Sequence, residues 1–361
     1  MKERISSQQI FYLSIIIVMP TLILSVPASL AKDAGTAGWI SIILGGSVVA
    51  ILHYILLKLS LDFSNYSVIK DFKIILGPIL GRIILLPYII VIVLDTPFIL
   101  LETVDFINFN MSEVNTIFFY VTISILAVYL VNNGVEVLSR MSKIVTIIMI
   151  SIIIIIILFI ILKSNTVDWN RLQPLKFNLK SIIKASILPM LWLIMIPNLL
   201  LMFKPYLTEN KQSIKKSLYA NIFVQVAIAF LFIITIITLS INLTSLSKFP
   251  VYDVTKLTIR GFEVIVFVTW VMGTFLKVSL FYFVSTKIIA ELFELNNSKS
   301  ILIPLAILVT AVAIFSSQNI LLENILGNII VAQLFFGYGL SLILFIVVYW
   351  LFGKRKNIKD S

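Results

Sequence analysis

The sequence is poor in the residue types on which many enzymes and metalloproteins depend. It has no cysteine, which excludes disulfides, thiolate metal sites and cysteine nucleophiles. Its single histidine, His53, excludes a metal site built from several imidazoles, and a packed, neutral ring is the default interpretation. No G-x-S-x-G motif, phosphate-binding loop or histidine–carboxylate pairing is present. We therefore expect no enzyme activity, no cofactor and no metal.

Charge is scarce as well. Only 12% of the 361 residues are charged, 60% are apolar, and the mean hydropathy is +1.09. A soluble domain has about 25% charged and about 45–50% apolar residues, and a fold of this length cannot bury so much apolar side chain in water. The composition excludes a soluble enzyme, a disordered protein and, despite the net charge of +11, a nucleic-acid-binding domain.

Long apolar runs dominate what is present. A helix needs about 20 apolar residues to cross about 30 Å of hydrocarbon, and the runs are apolar on all sides, as helices in lipid are. The first run is too long for a cleaved signal peptide, and a second follows closely. We predict an all-α polytopic membrane protein, one transmembrane domain over 1–361, with ten spans near 8–31, 36–61, 76–106, 114–132, 135–162, 181–203, 214–242, 258–290, 300–317 and 327–352.

The lysine and arginine residues predict the orientation. With the amino terminus in the cytoplasm, the inside segments carry about twice as many of these residues as the outside segments. An even number of spans then returns the carboxyl terminus to the cytoplasm. The basic tail from Lys354 fits this scheme as a topology signal.

Prolines interrupt two spans that correspond if the ten are divided into five plus five. The first span contains Pro20 and Pro27, and the sixth contains Pro189 and Pro197. Broken helices at matching positions of two halves indicate a binding site at mid-membrane, where unwound backbone can meet a ligand. The alternative is two ordinary kinks, since the third span also contains prolines.

Three charged residues lie inside spans. Asp95 and Glu102 are seven positions apart and share one helix face. Lys277 lies about 15 Å from the boundary marked by Lys287, and Asp95 lies at a similar depth, so we predict an Asp95–Lys277 pair facing the bundle interior. The alternatives are a purely structural tie and a Lys277 side chain that reaches towards an interface.

Four stretches resemble the permease-like B subunits of endospore germinant receptors, within the amino acid–polyamine–organocation transporter superfamily. They occur in order along the chain at 33–46, at GVEVLSR (134–140), at RLQPL (171–175) and at 262–281, which includes Lys277. The resemblance implies a leucine-transporter-like fold of inverted five-helix repeats with broken helices 1 and 6. It also implies nutrient sensing in the spore inner membrane with A-type and C-type (lipoprotein) subunits.

Taken with the prolines and charges, the resemblance leads to a hypothesis for the site. A small, amino acid-like nutrient binds where spans one, three, six and eight cross, and the Asp95–Lys277 pair sets the electrostatics. The residues assigned to ligand binding are Met19, Pro20, Thr21, Leu22, Phe98, Trp192, Pro197 and Asn198.

The sequence departs from the resembled pattern at two places. Val18-Met19-Pro20-Thr21 lacks the usual glycine of the first span, and Pro197-Asn198-Leu199 replaces a Gly–Glu pair in the sixth. A more apolar germinant and a subunit without ligand therefore stay open. So do two other functions: a secondary transporter of amino acids or amines coupled to protons or sodium, and a structural subunit that stabilises its partners.

Overall fold

The computed structural model describes residues 3–111, 113–162, 167–175, 177–258, 261–318 and 334–352. Helices account for nearly all of this part of the chain, and a single bridge between Ile5 and Leu207 is its only β-type pairing. The start of the tenth predicted span, at 327–333, and the basic tail from Lys354 lie outside the described residues.

Long helices form where the apolar runs predict them, with short helices between some of them. In chain order they are α1 (Ser7–Ala34), α2 (Gly38–Phe63), α3 (Val68–Leu76), α4 (Pro78–Asn110), α5 (Thr116–Asn132), α6 (Val135–Leu162), α7 (Leu179–Leu193), α8 (Met195–Phe203), α9 (Asn210–Leu239), α10 (Ile241–Leu246), α11 (Pro250–Thr258), α12 (Glu263–Leu292), α13 (Lys299–Ser317) and α14 (Leu340–Phe352).

The lengths of these helices suit a bilayer. Nine segments of the described chain are long and apolar enough to cross it, and α5 is a shorter apolar helix of 17 residues. The last crossing combines α14 with a π-helical turn at Leu334–Gly339. The predicted all-helical membrane fold is confirmed.

The predicted break occurs in the sixth span but not in the first. The sixth span is divided at Ile194, between α7 and α8. In contrast, α1 is one helix of 28 residues with Pro20 and Pro27 inside it, so the expected interruption of the first span is wrong. A proline removes only one hydrogen bond of the helix ladder, and buried neighbours can satisfy the freed backbone groups.

Helix α1 lies at the centre of the bundle and packs against α6, α7, α9 and α12. The second helix packs against α7 and α9, and α4 packs against α12. A glycine allows the close approach of α2 to α7, because a Cβ at Gly45 would lie 2.5 Å from the carbonyl oxygen of Ser186. The centre of the bundle thus brings spans one, three, six and eight within reach of each other.

At each end of the bundle, hydrogen bonds hold segments that are distant in sequence next to each other. At the end that we call the N-terminal end, the Ile5 amide donates to the Tyr206 carbonyl at 2.7 Å, and the Thr208 amide donates to the Ile5 carbonyl at 3.1 Å. At the opposite end, the Thr36 hydroxyl donates to the Pro174 carbonyl at 3.1 Å.

Candidate functional site

A lysine on α12 is the centre of a polar chain that connects three helices. Lys277 is fully buried, and its ammonium donates to the Thr21 hydroxyl on α1 at 2.5 Å. The Thr21 hydroxyl donates in turn to Oε2 of Glu102 on α4 at 3.0 Å. The ring of Trp192, on α7, has its centroid 4.9 Å from the Lys277 Nζ atom, within the range of a cation–π contact. Four helices therefore meet around one ammonium group.

The charged partners of Lys277 are carboxylates of α4. Lys277 interacts electrostatically with two carboxylates of α4, those of Glu102 and Asp95. No direct Asp95–Lys277 ion pair occurs among the described residues, so the predicted pair is a longer-range interaction, and the Thr21 hydroxyl is the group that Lys277 contacts directly. Buried charges in a membrane usually have such partners because isolation from water is costly.

Asp95 faces the π-helical turn before α14. The residue is 4% exposed, and Oδ2 of its side chain has no hydrogen-bond partner within the described residues. It interacts electrostatically with Tyr338, whose hydroxyl also lacks a well-formed hydrogen bond in the same part of the chain. Asp95 and Tyr338 together therefore form a second polar point beside Lys277. They lie at a π-helical turn, and such turns occur frequently at functional sites.

Asn198 fastens α8 to the same π-helical turn. Its Nδ2 donates to the carbonyl oxygens of Ile194 at 2.9 Å and Tyr338 at 3.3 Å, and its Oδ1 accepts from Ser341 at 3.2 Å. The Tyr88 hydroxyl donates to the Asn198 carbonyl at 2.9 Å. This side chain therefore holds the break of the sixth span in place, with its hydrogen-bonding groups already engaged.

The other predicted ligand-binding residues lie on the helices that surround Lys277. Met19, Pro20 and Leu22 are buried on α1, Pro197 is buried on α8, and Phe98 is half-buried on α4. The Pro20 carbonyl accepts from the indole of Trp270 at 2.8 Å. Their assignment to a ligand stays a prediction.

Two groups of the site are absent from the sequence assignment. Glu102 shares a helix face with Asp95, but the depth estimate pairs only Asp95 with Lys277. Tyr338 had no sequence signal, because its position depends on how the last span packs against α4 and α8. No cluster of three or more histidine, aspartate or glutamate side chains suited to a metal occurs in the described ranges.

Residues 4–320 match the family described as spore germination protein. The chain belongs to the spore germination protein family. A member of known sequence, spore germination protein KB of Bacillus subtilis (strain 168), is 25% identical over 372 residues, covering 100% of this chain and 98% of its own length. The resemblance seen in the sequence motifs is confirmed.

Solved structures show the fold of this family member. MhsT in complex with L-phenylalanine superposes with a TM-score of 0.72 at 12% identity, covering 100% of this chain and 94% of MhsT. A Na⁺-coupled sialic acid symporter gives 0.68 at 12% identity, covering 99% and 91%. Mhp1, a nucleobase-cation-symport-1 family transporter, gives 0.68 at 9% identity, covering 99% and 80%. The leucine-transporter-like fold is confirmed, and the germination protein is a permease-like, multi-pass membrane protein.

Proposed function

We propose that this germination protein is the membrane subunit of a germinant receptor. It senses a small, amino acid-like nutrient and triggers germination together with A-type and C-type (lipoprotein) subunits. It resides in the spore inner membrane with both termini in the cytoplasm. Family membership and the permease-like fold support the general role, and the observation that carries the proposal is the buried Lys277–Thr21–Glu102 chain at the crossing of four helices.

The chain of contacts suits a ligand that carries both charges. The carboxylate of an amino acid would pair with the Lys277 ammonium, and its amino group would pair with Glu102 or Asp95. Such a ligand would replace the Thr21 bridge and change how α1 is held against α4 and α12. A ligand shifts an equilibrium between two arrangements only through its different affinity for them, and a bridge that breaks on binding supplies that difference.

Lys277 also places the positive charge of an ammonium group in the site. In a cation-coupled permease a bound ion supplies such a charge, so the ammonium takes the place of a coupling cation in this proposal. The receptor then changes conformation with its nutrient alone, which is the behaviour expected of a sensor rather than of a pump.

Germination of spores that carry single variants tests the site. We expect Lys277→Met and Asp95→Asn to raise the nutrient concentration needed for germination, and bulky replacements of Thr21 and Asn198 to do the same. Lys184→Met removes an exposed cation, 74% accessible at the side chain, and serves as the control. Normal germination by assembled Lys277→Met and Asp95→Asn variants over the full nutrient range would remove the functional role of these charges.

A secondary transporter is the second candidate, because the matched structures are transporters, one of them bound to an amino acid. In this case purified protein in vesicles would take up labelled amino acid or amine, with dependence on a proton or sodium gradient. A receptor would instead show nutrient-dependent thermal stabilisation and loss of germination on gene deletion, with cellular uptake unchanged.

A further inference from the structure

A cavity lies at the N-terminal end of the bundle, away from Lys277. It has a volume of about 700 Å³ and lies between α3, the loop after α8 and the last turn of α12. Three lysines line it: Lys70 and Lys73 on α3, and Lys287 on α12. None of these residues belongs to the proposed nutrient site, so the cavity is separate from that site.

The carboxylates of this cavity are largely engaged by other groups. Glu294 accepts from Lys73 at 3.0 Å and from Arg82 at 2.6 Å, and these two cations hold the pKa of Glu294 below its usual value. Glu291 accepts a hydrogen bond from the Ser67 hydroxyl. Lys73 also donates to the Glu291 carbonyl at 2.7 Å. The acidic side chains therefore stabilise the cavity wall and leave part of its positive charge uncompensated.

Lys70 and Lys287 are the cations that remain. Neither forms an ion pair with a carboxylate in the described part of the chain, although both interact with Glu291 at longer range. Their ammonium groups rest against aromatic faces: Lys70 over Tyr66 at 3.8 Å, and Lys287 over Phe283 at 5.7 Å and Tyr206 at 5.9 Å. The aromatic contacts fix both ammonium groups at the cavity without neutralising them.

The rest of the lining is apolar, apart from a few polar groups. Ile69, Ile74, Pro205, Ala290 and Leu295 form most of it, and Ser298 adds a hydroxyl. The cavity lies where the membrane-spanning part of α12 ends, and Leu295 is 45% exposed beside it. Cations next to an apolar wall at this depth match a phosphate group attached to an apolar body, since basic pockets between membrane helices bind phospholipid headgroups.

We propose that this cavity binds a phosphate group between Lys70 and Lys287, supplied by an anionic phospholipid or by a free phosphate ester. The bound anion would tie α3 to α12 and hold the N-terminal end closed. The proposal does not depend on the proposed nutrient site.

Binding of phosphatidylglycerol to the full-length protein tests it. The protein is placed in phosphatidylcholine nanodiscs with a small share of spin-labelled phosphatidylglycerol, and the lipid is titrated. Each lysine near an anionic headgroup contributes about a fivefold factor. We therefore expect the double variant Lys70→Gln/Lys287→Gln to bind phosphatidylglycerol about thirtyfold more weakly, and Lys70→Gln alone, at an exposed position, to bind it about fivefold more weakly.

The matched control for these variants is Lys211→Gln/Lys215→Gln. It removes two exposed lysines from α9 at the same end and should bind phosphatidylglycerol like the original protein. Competition with two soluble phosphate compounds then separates the sources of the phosphate. Displacement of the lipid by glycerol 3-phosphate or inorganic phosphate would assign the site to a free phosphate ester, and resistance to both would assign it to the headgroup. Equal lipid binding by the original and both Lys70 variants, without binding of either phosphate compound, would overturn the proposal.

Discussion

At the scale of single residues, one hydroxyl group connects two buried charges. Thr21 accepts from Lys277 and donates to Glu102, so each ionised group depends on a neutral side chain of α1. A hydroxyl can do both at once because it carries one donor and two acceptor positions. The arrangement explains why a lysine without a direct ion pair is tolerated at this depth.

Replacing Thr21 with valine tests this dependence. The valine keeps the shape and removes the hydroxyl, which leaves Lys277 and Glu102 without their bridge. Leaving a buried polar group unsatisfied costs about 1–3 kcal/mol, and more for a charged group, so we expect a lower thermal unfolding midpoint in detergent. Thr21→Ser keeps the hydroxyl and should retain most of the stability.

The matched control for this variant is Thr286→Val. Thr286 is buried on α12, and its hydroxyl donates within its own helix to the Tyr282 carbonyl at 2.7 Å. Removal of this hydroxyl should therefore lower the thermal unfolding midpoint only slightly. An equal fall of the midpoint in both variants would mean that the Thr21 bridge has no special stabilising role.

The same residues show what the sequence could predict. The intramembrane positions of Asp95 and Lys277 follow from composition and spacing alone. The partner of Lys277 did not follow, because the depth estimate treats helices as parallel rods measured from boundary residues and cannot include a side chain from a third helix. Thr21 was assigned to the site, but its role as a bridge appears only when α1, α4 and α12 are placed together.

At the scale of elements, the short helix α3 is held to the bundle by a fully buried ion pair. Lys204, after α8, lies 2.5 Å from Oδ2 of Asp71 on α3, and both side chains are 0% exposed. The same carboxylate accepts from the Tyr349 hydroxyl of α14 at 2.5 Å and from Ser64. Lys204 also donates to the Ser60 carbonyl at 3.0 Å. The network joins α3 to the ends of three spans, formed by α2, α8 and α14.

Removal of one partner of this pair should destabilise the protein strongly. Asp71→Asn leaves the Lys204 ammonium buried without a counter-charge, which typically costs about 3–5 kcal/mol. We expect a large fall of the thermal midpoint in detergent, and partial recovery in Asp71→Leu/Lys204→Met because that variant removes both charges.

The control for the ion pair is an exposed one. Glu136→Gln removes the partner of Arg140, at side-chain exposures of 42% and 68%, and should change stability by about 0.5 kcal/mol or less. If Asp71→Asn unfolds at the same temperature as Glu136→Gln, the buried network does not hold α3 in place.

The sequence predicts the long spans better than the short helices, for a physical reason. The long spans follow from apolar runs, because only a long apolar helix suits the bilayer. The short helices α3, α10 and α11 carry mixed sequences, so their positions depend on contacts such as Asp71–Lys204 that sequence spacing does not reveal. The break at Ile194 was expected from the prolines, but the same reasoning failed for α1, since proline permits a kink without requiring an end.

At the scale of the whole molecule, the ends of the bundle are set by the order of the spans. The pairing of Ile5 with residues 206–208 places the start of α9 at the N-terminal end. Helix α9 then crosses the bundle, and α10 lies at the opposite end, where the Asp168 amide donates to the Ile237 carbonyl at 3.0 Å. Lys211 and Asn242 are exposed at these two ends.

The absence of cysteine makes the orientation measurable without background. Single variants Lys211→Cys and Asn242→Cys are expressed in cells and treated with a maleimide that does not cross membranes. With the termini in the cytoplasm, Asn242→Cys should react in intact cells, and Lys211→Cys should react only after permeabilisation. Both thiols should react in detergent, which checks their accessibility. The reverse pattern would invert the topology and place the lysine-lined cavity in the outer leaflet, whereas labelling of both thiols from one side would contradict the ten-span arrangement itself.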